Sequence, residues 1–110
     1  ITHTLVVRND ILQNHPWVAQ NLVKAFEEAK RKCMAEIAGS GAPKAAHPWL
    51  VSAVEETKRI MGEDYWPYGL EKNRQVLQTL VAWAYEQGVI GKQVVVEELF
   101  FAPTVYPFAG

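Results

Sequence analysis

A chain of 110 residues and 12.4 kDa has room for one modest core, so it is read as a single domain at most. With 49% apolar and 21% charged residues it has the balance of a folded domain, not of a disordered tail. A net charge of −1 excludes a dedicated nucleic-acid binder, and the single cysteine, Cys33, excludes an internal disulfide framework. No apolar run approaches the ~18 residues of a membrane span, and no leader pattern is visible in a chain that opens on Ile1.

The first ten residues read ITHTLVVRND. Thr2, Thr4, Leu5, Val6 and Val7 suit a pleated surface, and Asn9-Asp10 supplies turn chemistry, so a β-strand is expected over about 2–8. Pro16 is of the type favoured at a first helical position. Val18, Leu22, Phe26, Ala29, Cys33 and Ile37 then recur at steps of three and four. That spacing predicts a helix over about 16–38, closed by Gly39. The same stripe makes Cys33 a buried, inert thiol. Glu27 with Arg31, and Glu28 with Lys32, offer surface pairs with the acid first, so Lys30-Arg31-Lys32 reads as a solvated face.

Residues 39–46 form a small-residue connector. A second helix is expected over about 48–61, with Leu50, Val54 and Met61 inward and a Glu55–Arg59 surface pair. The stretch GEDYWPYG that follows is too aromatic for a plain solvent loop. A third helix, about 71–87, places Val76, Leu77, Leu80, Val81 and Ala84 inward and closes at Gly88. In VVVEELFFAP one short helical turn is expected, about 96–100, stopped by Pro103.

As present, the chain is therefore mainly α: an N-terminal β-strand, three main helices and a short C-terminal turn. A strand needs neighbours, because each residue carries a backbone donor and acceptor to be paired. Residues 93–96 are the best later candidate and are brief. Two readings follow. Either the chain is the C-terminal piece of a larger α/β protein, or it is an all-helical domain with an N-terminal arm. The first is preferred, since an unpaired apolar strand is an aggregation liability. The motif His15-Pro16-Trp17 recurs as His47-Pro48-Trp49. The sequences after each proline diverge, so shared helix-start chemistry explains the pair better than a repeat array.

Few residues point to chemistry by themselves. His3, His15, His47 and Cys33 share no metal-ligand spacing. No Gly-rich phosphate loop or nucleophile elbow is present. Glu63 and Asp64 beside Tyr65, Trp66 and Tyr68 are a pattern used for sugar or cation recognition. The stronger reading is structural, with the aromatics wedging the loop and Asp64 turning it. If the loop reaches a cleft, Tyr65 and Trp66 are its ligand contacts.

Five stretches carry a resemblance: ITHTLVVRNDI, HPWVAQNLVKAFEEAK, HPWLVSAVEETKRIMGEDYWPYGLEKNRQVL, AYEQGVIGKQ and VEELF. In this order they resemble the C-terminal third of the 4,5-dihydroxyphthalate decarboxylase family and its substrate-binding relatives. MGEDYWPYGLEKNR, residues 61–74, is the most specific marker, together with HTLVVRND. The resemblance implies a two-lobe α/β type II periplasmic-binding-protein fold, with the opening strand as a crossover pairing with strands outside this chain. It implies non-oxidative decarboxylation of an aromatic dicarboxylate, which requires no redox cofactor. His3 would be the general acid or a ligand contact at the hinge, and Thr4 a donor to a carboxylate.

The alternative within the same fold is a solute receptor for a small anionic or aromatic ligand feeding a transporter. An enzyme of this kind is expected in the cytoplasm and a receptor in the periplasm. In either case the expected partners are that ligand and the missing N-terminal portion, with no nucleic acid, and self-association is expected of the chain in isolation.

Overall fold

The computed structural model of the chain describes residues 3–39 and 46–104. Among these it forms helices α1 (Asn9–Asn14), α2 (Trp17–Ala38), α3 (Leu50–Met61) and α4 (Leu70–Glu86), then two 3₁₀ turns, Val96–Leu99 and Ala102–Thr104. No strand occurs among the described residues. The chain divides into two compact units. One holds the residues up to Val23 and those from Tyr68 onward; the other is Lys24–Pro67.

The first unit has its core on one face of α4. Leu70, Leu77 and Val81, at positions i, i+7 and i+11, are buried with Val96 of the first 3₁₀ turn. Ile90, Val94 and Phe100 pack at the edge. Gly88, at φ 71°, lets the chain reverse after α4, and the Val89 amide donates to the Ala84 carbonyl at 2.8 Å. That reversal brings residues 90–100 back onto the helix that precedes them. Asn73 is buried in the same seam, where its Nδ2 donates to the Gly69 carbonyl at 2.8 Å. The buried amide is thereby satisfied.

In the second unit, Gly62 ends α3 at φ 87°, ψ 176°. This corner of backbone space is almost closed to residues with a Cβ. Gly69, at φ 90° and ψ 157°, takes the same conformation just before α4 begins. Both glycines of the GEDYWPYG stretch are therefore set by backbone geometry rather than by crowding: nothing lies within 4 Å of where a Cβ would sit on either.

Several expectations are corrected. Residues 3–8, expected within the strand over about 2–8, form no ladder, because no strand among the described residues pairs with them. Thr2, at the start of that strand, and most of the connector over 39–46 lie outside the described residues. The Asn9-Asp10 pair does not turn the chain but opens α1, a helix too short to display a period. The Arg8 carbonyl accepts from Ile11 and Leu12, and Asp10 stands in the first turn, where a negative charge suits the helix dipole. The short turn expected over about 96–100 is Val96–Leu99, which ends at Phe100 ahead of Pro103, and Pro103 itself lies inside a second 3₁₀ turn.

The faces of the helices also differ from expectation. Val76 and Leu80 are 51% and 58% exposed, Met61 is exposed, and so are Phe26 and Cys33 on α2. An apolar period marks a face able to be buried; whether it is buried depends on what lies against it. The surface pairs shift by one residue. Arg31 pairs with Glu28 at 2.7 Å and Arg59 with Glu56 at 2.7 Å, each one residue closer in sequence than expected. Lys32 reaches Glu28 at 3.4 Å, as its spacing predicts.

Candidate functional site

Three groups of side chains are candidates for function, and each belongs to one unit. The first is the arm before α1. His3 and Thr4 are both exposed there, on backbone that carries no regular structure.

The second group is the loop after α3. Once Gly62 has turned the chain, Glu63 meets Lys58 at 2.8 Å. Asp64 meets Lys30 of α2 at 2.8 Å, with Glu27 also near Lys30 at 3.8 Å. Lys30 has only 14% of its side chain exposed, so this pair is worth more than a solvated one. Asp64, expected to turn the loop, thus anchors it to a second helix. The hydrogen bond to Glu63, then its charge, hold the Lys58 ammonium above the ordinary lysine range, with a smaller push from Tyr65. Just after these anchors Tyr65 is half-buried and Trp66 is 56% exposed. The wedge role expected of the aromatics fits Tyr65 better than Trp66.

The third group was not anticipated. Arg74 of α4 donates to Glu71 one turn back and to Glu97, so it ties the helix to the 3₁₀ turn that also carries Val96. The hydrogen bonds of Arg74 lower both carboxyls below the ordinary glutamate range, and those carboxylates raise Arg74 further. The Glu71–Arg74 spacing could have been read from the sequence; the approach of Glu97 has no sequence signal.

These lowered carboxyls give a pH dependence with a definite sign. Their stabilising contribution is full above the ordinary glutamate range and is lost as pH falls through the lowered folded-state values. Comparing urea midpoints at about pH 7 and about pH 3, Arg74→Met is expected to reduce the acid sensitivity of unfolding. An unchanged difference between the two pH values would contradict this.

A shallow groove runs between α4 and residues 93–97, bounded by Gln78, Ala82, Gln93, Val95 and Glu97. Its volume of about 180 Å³ falls below the ~300–1,000 Å³ of pockets that enclose small ligands. Lys30, Arg31, Lys58, Arg59 and Arg74 each meet a carboxylate, so these five supply no spare charge for a dianion. Among the described residues no group of three or more His, Cys, Asp or Glu is placed to hold a metal. No described helix is long and apolar enough to cross a membrane.

No protein-family model matches the chain. The chain is 32% identical over 108 residues, 98% of its length, to the 4,5-dihydroxyphthalate decarboxylase of Comamonas testosteroni. It spans 33% of that protein's length. The similarity extends from the opening arm through the aromatic loop and α4, and it is consistent with a C-terminal part of that family.

Proposed function

We propose that the chain is the C-terminal part of a cytoplasmic 4,5-dihydroxyphthalate decarboxylase-like protein that removes one carboxyl group from an aromatic dicarboxylate without redox chemistry. The observation that carries this reading is the 32% identity along 98% of the chain. The whole protein would have the two-lobe α/β architecture of type II periplasmic-binding proteins. Residues 3–8 would then cross between lobes, paired with strands outside this chain.

The chemistry asks little of a cofactor. As the bond from ring to carboxylate breaks, carbon dioxide leaves and its electron pair stays on the ring carbon. A ring hydroxyl helps to spread that charge, and a positioned acid delivers a proton to the carbon. His3 takes the role of acid, as a side chain able to donate a proton to the ring carbon. Thr4 donates to a substrate carboxylate, and Tyr65 and Trp66 contact the ring. The exposure of His3, Thr4 and Trp66 is compatible with a site completed by the rest of the polypeptide.

The test is to incubate the full-length protein with 4,5-dihydroxyphthalate and follow carbon dioxide and 3,4-dihydroxybenzoate. Stoichiometric appearance of both is expected. Tight binding with no product would replace this reading with that of a solute receptor.

A further inference from the structure

We infer that the flank of α4 formed by Val76, Leu80 and Trp83 is an internal contact of the longer polypeptide, covered by the portion lying outside these 110 residues. The inference rests on the reading of the chain as one part of a longer protein, but not on that protein's having decarboxylase activity. At ~100° per residue these three side chains fall within about 60° of one another around the helix. Val76 is 51% exposed, Leu80 58% and Trp83 59%. They lie beside the seam of Leu70, Leu77 and Val81, so the apolar arc of α4 is about 160° wide. Only the half that meets Val96 is covered.

The other side of the helix sets the limit of this surface. Glu71, Gln75, Gln78 and Glu86 occupy it and are exposed, as residues that stay in water should be. α4 is therefore built to be buried on more than its present contact. Three neighbouring large apolar side chains, one of them Trp, are more than the scattered exposure usual on a monomer surface.

Length and continuity name the occupant. The chain spans 33% of its decarboxylase relative, so a protein of that size has about twice as much polypeptide again to pack. The flank also adjoins the existing core: around the helix only Ala84 and Asn73 stand between them, and Asn73 is already buried, its amide donating to the Gly69 carbonyl. Covering it therefore enlarges one core, whereas an interface with a second copy would normally stand apart behind a polar rim.

Thiol labelling of the full-length protein tests this. In a background with Cys33→Ser and no other reactive thiol, Leu80→Cys is compared with Gln75→Cys on the polar side of the same helix. Under native conditions Leu80→Cys is expected to react at least about tenfold more slowly, and equally fast once the protein is denatured. The protection should survive an approximately hundredfold dilution. If Leu80→Cys does not fold, Val76→Cys reads the same flank. Equal native labelling would overturn the inference, because the flank would be open. Protection that vanishes on dilution would also overturn it, in favour of a second copy. Neither readout requires turnover, so loss of the decarboxylase reading would leave protected labelling intact.

Discussion

The full-length protein carrying His3→Ala is expected to lose turnover of 4,5-dihydroxyphthalate by about 10²–10⁴-fold, the span contributed by a positioned proton donor. The loss should fall on kcat, since the proton is needed only as carbon–carbon cleavage proceeds. Thr4→Val should instead weaken binding and act mainly through KM, because its hydroxyl is assigned to a carboxylate present before and during reaction. Circular dichroism of the full-length Ala variant checks that it folds as the parent does, so that a loss of kcat is not a loss of structure. Unchanged kcat in a folded His3→Ala protein would remove His3 from the chemistry.

The second large effect concerns stability and separates two leucines three residues apart. Leu77 is 5% exposed and Leu80 is 58% exposed. In the 110-residue chain, Leu77→Ala removes a central side chain from the cluster of Leu70, Val81 and Val96. It should cost about 2–5 kcal/mol, a large share of the ~5–15 kcal/mol that holds a small domain together. Leu80→Ala should stay within about 0.5 kcal/mol, since it leaves no cavity. Urea unfolding of both variants measures the difference. Equal losses in the isolated chain would mean that the outer flank of α4 is already covered there. In the longer protein the gap should narrow, because Leu80 becomes a core residue.

The helices were legible because their apolar residues repeat every three to four positions for three turns or more. The segments expected over about 16–38, 48–61 and 71–87 correspond to Trp17–Ala38, Leu50–Met61 and Leu70–Glu86. Faces were less legible. Val76 and Leu77 are neighbours of similar hydrophobicity, and only the return of Val96 onto α4 decides which is buried. Cys33 shows the same limit, lying on an apolar stripe yet exposed. α1 has six residues, fewer than two full turns, so its period cannot be separated from turn chemistry.

The candidate site divides in a similar way. The aromatic and acidic character of residues 63–66 was visible in the sequence. The use of Asp64 as an anchor to Lys30 was not, because the two are 34 residues apart. The Arg74 clamp needed a contact 23 residues away. His3 and Thr4 came from resemblance, since one histidine and one threonine on an apolar stretch carry no chemical signature of their own.

Replacement of a ring carboxylate by a solvent-derived proton is the step proposed for the full-length protein. Its most direct test is to run the full-length protein with 4,5-dihydroxyphthalate in deuterium oxide and examine the products by mass spectrometry. Carbon dioxide and 3,4-dihydroxybenzoate are expected in equal amounts, the latter with a single deuterium at the vacated ring carbon and no oxygen consumed. Substrate recovered intact from a protein that binds it would contradict the claim, as would carbon dioxide release that depends on oxygen.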